Sequence, residues 1–549
     1  MSELPIECCA DTILLNGKIV TVDAKNTITE AVAIKNDKIL KIGTNEEVKA
    51  LAGGKTQIID LKGKTVLPGF IDTHIHLSYM WTIGLYTLDL SAPPIKSLSG
   101  MLEKIGERAR ETPVGQWIVA QGVTGSDLNL IEKRYPNKWE IDKVAPNNPV
   151  FLDFYHIHVA NSEALRLAGI TKETPDPAGG KIERDLAAGE PNGFLWETAG
   201  NLVKGLVPPC TVDQIKDGIK KGAKILLEAG ITTIHDIVGD VSAPVSVPMK
   251  AYQELLESGE LPIRVHMIVR TIESDVDVNN LLKLGIRTGF GNDWLKIGGL
   301  KMFVDGGGIS RTAALYEPYN DQPENRGVLF SKERLAEEIS KAHKAGLRCC
   351  VHAIGDRAVD MILDIYEDVL KETTRENHRH RIEHGGNLFY TPERRERVKR
   401  LGVVLDTNPA FIPCIGDNYK IGLGPERIKS AFPYKTFVEE GILAAAGSDW
   451  PSVKAWKPLE GIWACIARTT WGGYEVSSEE RISCMDAIRL YTINAAYAGF
   501  EEDIKGSIEP NKLADLVILS DDPLTVPTEK IEDIKVETTF INGKIVYQR

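Results

Sequence analysis

The chain has 549 residues, 43% hydrophobic and 26% charged, with a formal net charge of -12. This balance belongs to a folded protein of two or three domains and excludes a disordered or fibrous chain. The acidic excess and the absence of any Lys/Arg block argue against a nucleic-acid surface; no apolar stretch is long enough to span a membrane, and residues 1–11 lack a secretory pattern, so a cytoplasmic location is expected.

The first 65 residues carry short strand patterns, Thr12–Val22 and Ala31–Gly43, each broken by an Asn-containing turn, and read as hairpins of a small β-domain. Ile541-Asn-Gly-Lys-Ile-Val near the C-terminus almost copies Leu15-Asn-Gly-Lys-Ile-Val. The two ends are therefore expected to complete one β-sandwich, from residues 1–66 and 504–549.

Between them, apolar runs alternate with amphipathic stretches, the pattern of a parallel α/β fold. The runs are Thr65–His76, Gly230–Asp236, Ile263–Val269, Leu295–Val304, Leu347–His352, His380–His384, Val403–Thr407 and Leu443–Asp449. Eight runs are what a (β/α)8 TIM barrel needs, here over residues 67–503. Residues from about 78 to 225 exceed one crossover and are expected to form an α/β insert placed to cover the site, with a helix over Ser97–Thr112 and an exposed connection at Thr174–Gly180.

His74 and His76 lie two residues apart at the end of the first run, so both side chains project from one face and can share a cation. His156/His158 and His378/His380 have the same spacing, and position must separate the three pairs. Barrel enzymes carry their chemistry where strands end. His352, His384 and Asp449 close the fifth, sixth and eighth runs, whereas His378 and His380 open theirs at the opposite rim. His266 falls mid-strand and His343 in a helical pattern, so both read as structural. His235 ends the second run and is expected to line the pocket rather than to bind metal. The eight cysteines show no Cys-x-x-Cys spacing, and Cys349 and Cys350 read as packing.

His-x-His followed by His, His and Asp at successive strand ends resembles the amidohydrolase superfamily. The motifs are Pro68-Gly-Phe-Ile-Asp-Thr-His-Ile-His, Val351-His-Ala-Ile-Gly-Asp-Arg-Ala, Arg381-Ile-Glu-His and Gly447-Ser-Asp-Trp-Pro. Lys301-Met-Phe-Val-Asp-Gly-Gly-Gly-Ile-Ser-Arg-Thr-Ala and the segment His156–Ile170 are similar to the YtcJ-like branch, which includes N-substituted formamide deformylases. The resemblance implies that His74, His76 and Asp449 hold one metal, that His352 and His384 hold another, and that a carboxylated Lys301 bridges them. Lys296 and Asp305 are the competing candidates for the bridging place. Two zinc ions are the first expectation, with manganese, iron or nickel open to the same ligands.

The implied reaction is hydrolysis of a C–N bond in a small amide or formamide, with Asp449 as the proton-transfer group and His156 as a substrate contact near Trp196-Glu197. A deaminase and a catalytically silent scaffold are the alternatives. A small molecule is the expected partner, with neither nucleic acid nor membrane. A homodimer is compatible with such a barrel.

Overall fold

The computed structural model describes residues 9–80, 87–91, 95–122, 127, 130–239, 244–271 and 276–549. Cys8 and most of the N-terminal segment lie outside them. Eight parallel strands form one sheet in strict chain order: β1 Phe70–Ile75, β2 Ile231–Val238, β3 Arg264–Arg270, β4 Leu295–Phe303, β5 Cys349–His352, β6 Arg381–Glu383, β7 Val404–Thr407 and β8 Ala444–Ala446. The ends meet just past β8, where the Asp449 N–H donates to the His74 carbonyl at 2.7 Å and the His76 N–H to the Trp450 carbonyl at 2.9 Å. This is the expected barrel, nearly closed, with helices between its strands.

The helices follow the sequence's own signals. Val212–Glu228 starts at a Thr211/Gln214 capping box and buries Ile215, Ile219, Ala223, Leu226 and Leu227, an i, i+4 stripe facing the barrel. Asp356–Glu372 buries a like stripe of Val359, Ile362, Leu363 and Tyr366. The strands are buried on both faces, which is why they read as apolar runs rather than as alternations.

The first run is not one strand. Thr65–Pro68 pairs with Lys18–Val20 and Leu516–Leu519 in a six-stranded sheet built from both ends of the chain, and the barrel begins only at Phe70. Gly69 makes the transition because a Cβ there would lie 2.4 Å from Thr232 Oγ1. A four-stranded sheet, Thr12–Leu15, Ala31–Lys35, Lys38–Gly43 and Gln57–Asp60, shares a core with the six-stranded one through Leu14, Val32, Val66 and Ile518. The expected first hairpin is absent: Thr12–Leu15 and Lys18–Val20 join different sheets. The later copy, Ile541-Asn-Gly-Lys, is a hairpin, with Asn542 and Gly543 both left-handed as a tight turn requires.

Between β1 and β2 stands a second six-stranded sheet, Leu88–Asp89, Ile118–Gln121, Val150–Asp153, Ile157–Ala160, Gly180–Arg184 and Pro191–Glu197. The helix expected at Ser97–Thr112 runs Leu98–Glu111 with Ser97 as its N-cap. Among the described residues no helix is long and apolar enough to cross a membrane.

Candidate metal centre

One cavity of about 160 Å3 at the C-terminal mouth of the barrel is lined by His74, His76, His156, Lys301, His352, His384 and Asp449 together. Strand position delivers each one. His74 lies inside β1 and His76 just beyond it; His352 is the last residue of β5, and His384 follows β6 directly. Asp449 lies three residues past β8, in the loop after it rather than at the strand's end. His384 and Asp449 are left-handed, with φ of 60° and 58°, backbone strain of the kind that collects at functional sites.

The inner group has coordination spacing. His76 Nε2 lies 3.0 Å and His74 Nε2 3.5 Å from Asp449 Oδ1. A tetrahedron with metal-to-nitrogen arms of about 2.0–2.1 Å has edges of about 3.3 Å, so these three atoms suit one cation. His74 donates its Nδ1–H to buried Glu383, and His384 Nδ1–H donates to Asn408 Oδ1 at 2.8 Å, which leaves Nε2 of each for a metal. His352 Nε2 donates to the Gly306 carbonyl at 3.2 Å, leaving its Nδ1 lone pair. The His352 and His384 rings are 4.6 Å apart, and His384 is 4.8 Å from His74. Burial, reinforced by Lys301 and neighbouring rings, holds His74 and His352 well below the ordinary imidazole range, and burial brings His384 to about 4. All three are neutral ligand donors at pH 7.

Lys301 is buried, its Nζ 3.4 Å from His74 Nε2 and 5.0 Å from the Phe303 ring, and it makes no salt bridge among the described residues. Desolvation lowers its pKa to about 8. Lys296 is not a rival, because its Nζ is paired with Glu501 at 2.6 Å. Asp305 staples loops: its carboxylate accepts the N–H groups of Ala314, Ile354 and Gly355 at 2.8–3.0 Å.

The remaining histidines separate cleanly. His235 does not line the cavity; β2 runs on to Val238, so His235 is mid-strand, stacked on His266 at 4.4 Å inside the barrel. His343, His378 and His380 form a relay at the opposite rim: His380 to His343 at 2.8 Å, His343 to the Thr373 carbonyl at 2.8 Å and His378 to the Leu401 carbonyl at 2.9 Å. Every ring nitrogen of that trio is used, as structural histidines require. His158 is buried against Asp153 at 3.2 Å, and Trp196 is on a strand, donating to Glu183.

Sequence reading passed over the supports. Arg381 is fully buried and grips Glu383 twice at 2.7 Å and Asp406 at 2.6 Å. The signal was present, since Arg381 and Glu383 flank His384 in the Arg-Ile-Glu-His motif. Glu197, from the insert, meets His156 Nδ1 at 2.9 Å. Burial alone would lower the pKa of His156, but the Glu197 carboxylate more than offsets it and lifts the ring above its ordinary range.

A parallel barrel whose strand ends gather imidazoles and a carboxylate around one cavity defines a metal-dependent hydrolase. The amidohydrolase family profile matches residues 57–547, and the chain belongs to that family. It is 34% identical over 544 residues to YtcJ of Bacillus subtilis strain 168, covering 97% of this chain and 98% of that one. It is 30% identical to the N-substituted formamide deformylase of Arthrobacter pascens over 98% of both chains. An uncharacterized metal-dependent hydrolase from Pyrococcus horikoshii OT3 shares the fold at a TM-score of 0.74 and 28% identity, over 94% of this chain and 99% of that one.

Proposed function

We propose that the protein hydrolyses the C–N bond of a small amide or N-substituted formamide, using two divalent ions held by His74, His76, His352, His384, Asp449 and a carboxylated Lys301. The similarity to the Arthrobacter pascens deformylase supports the substrate class. The observation that carries the binuclear reading is Lys301, a buried amine without a salt bridge among the described residues, 3.4 Å from His74 Nε2 in the cavity that His76, His352 and His384 also line. An ammonium there would repel cations. With its pKa near 8, part of the population is free amine, whose nitrogen bonds the carbon of carbon dioxide while one proton leaves to solvent, giving a carbamate.

When bound, the metals supply Lewis acidity that lowers the pKa of water from about 15.7 toward 7 and polarises the substrate carbonyl. Asp449 moves the protons. Burial would raise its pKa, but the hydrogen bond to His76 and the nearby imidazoles hold it well below the usual carboxylate range, so it is ionised and ready to accept. It takes the proton of the attacking water and delivers it to the leaving nitrogen. Glu383 holds His74 in one tautomer, and Asn408 orients His384.

The test is a panel of amides and N-substituted formamides, given to protein purified with zinc and bicarbonate. His74→Ala and Asp449→Asn should lose nearly all turnover, while His378→Gln, at the far rim, keeps it. Equal activity in the first two variants would refute the site. One metal per chain and an unmodified Lys301 by mass spectrometry would sink the binuclear form.

A further inference from the structure

The insert and the Asp305-Gly-Gly-Gly loop after β4 are built against each other at the cavity. A Cβ on Gly306 would lie 2.6 Å from Glu197 Oε1, and one on Gly307 would lie 2.7 Å and 2.8 Å from His156 Cδ2 and Nε2. The glycine run is thus a seat cut to the shape of the His156–Glu197 pair. Glu197 also accepts from Thr312 Oγ1 and, at 3.4 Å, from Ser310 Oγ, both on the same loop. Its own N–H donates to the His156 carbonyl at 3.1 Å. Both arms of the pair are strained: Tyr155 has φ 71°, and Glu197 has φ 48° and ψ -126°, conformations that side-chain-bearing residues rarely adopt.

The electrostatics assign the ring its state. Glu197 is buried, and hydroxyl donors leave its charge intact, so His156 is the adjacent group that neutralises it. With Nδ1 spent on Glu197, Nε2 is the polar atom left to the cavity, and it has no partner among the described residues. The ring centroid is 6.3 Å from that of His352, and both rings line the same cavity, so the insert and the barrel face one bound group together.

We infer that His156, paired with Glu197, is a catalytic residue that donates its Nε2–H to the substrate carbonyl oxygen as that oxygen gains negative charge, with Glu197 as its positioning residue. The inference rests on the amide-hydrolase reading above. As the water oxygen bonds to the carbonyl carbon, the π pair moves onto the carbonyl oxygen, and His156 shares its proton without surrendering it. The pair returns when the C–N bond breaks and the nitrogen leaves with the proton carried by Asp449. The insert therefore completes the catalytic site as well as roofing it.

The experiment compares His156→Gln, His156→Gly and Glu197→Gln with wild type, all metal-loaded and matched for metal content. His156→Gln should lower kcat by about 10²–10³-fold, the usual cost of one oxyanion donor, with little change in KM. Glu197→Gln should lower kcat at least tenfold, and added imidazole should restore part of the activity of His156→Gly. Methylphosphonate, a tetrahedral anion, should bind His156→Gln at least tenfold more weakly than wild type by calorimetry. Unchanged kcat in His156→Gln, or equal methylphosphonate binding, would overturn the inference. A fully metallated wild type that cleaves nothing on the panel overturns the amide reading instead, and the methylphosphonate arm then decides the role of His156 by itself.

Discussion

Arg381→Gln tests the support beneath the site. The guanidinium is fully buried and bonds groups on four strands: the Thr73 carbonyl of β1 at 2.7 Å, His235 Nδ1 of β2 at 2.9 Å, Glu383 of β6 at 2.7 Å and Asp406 of β7 at 2.6 Å. Its removal strands the charge of buried Glu383 and takes a donor from Asp406, whose pKa burial already pushes well above the usual carboxylate range; breaking a buried pair costs about 3–5 kcal/mol. Glu383 limits the loss by taking up a proton, since burial pushes its pKa up and Arg381 is the first group that holds it down. The sign follows. In the variant, the folded pKa of Glu383 rises above its unfolded value, so the deficit is largest at neutral pH and narrows as the pH falls through the raised folded pKa. Denaturant unfolding of metal-free wild type and variant at several pH values measures this. Zinc competition measures the second effect, a loss of about 10–100-fold in affinity as His74 loses its fixed acceptor. A deficit below about 1 kcal/mol together with unchanged zinc affinity would refute the reasoning.

The relay at the far rim predicts acid sensitivity. Burial lowers His378 to about 4, so between that value and about 6.5 the unfolded chain binds a proton the folded one refuses, and stability falls as the pH drops. The structure predicts that His378→Gln loses about 2 kcal/mol less than wild type between about pH 7 and pH 5, and parallel unfolding curves would show the reasoning to be wrong. Gly307→Ala should displace the His156 ring, lowering kcat at least tenfold at unchanged metal content; steady-state kinetics with metal analysis checks this, and wild-type turnover would count against the seat.

Much of the barrel was legible because its signals are local. A strand buried on both faces is an apolar run whatever surrounds it, and all eight runs hold strands of the sheet. Position along a run also distinguished His74 and His76 from His378 and His380, because opposite ends of a parallel strand reach opposite rims. It failed for His235, where the run looked finished at Asp236, two residues before the strand ends at Val238. It failed again at Gly69, where one apolar stretch serves two sheets and only the closeness of Thr232 marks the border.

The amino-acid sequence by itself determined the strand count, the runs that reach the C-terminal mouth and the chemical types available near their ends. Tertiary structure decided which of them meet. His74 and Glu383 are 309 residues apart, and His156, in the bend before Ile157–Ala160, and Glu197, at the end of Pro191–Glu197, are 41 apart. Spacing along the chain carries no information about such contacts, because barrel closure and the docking of the insert onto the Gly306–Gly308 loop create them. The same closure separated Lys301, without a salt bridge among the described residues and beside His74, from Lys296, paired with Glu501; a lysine's charge state depends on what is packed around it.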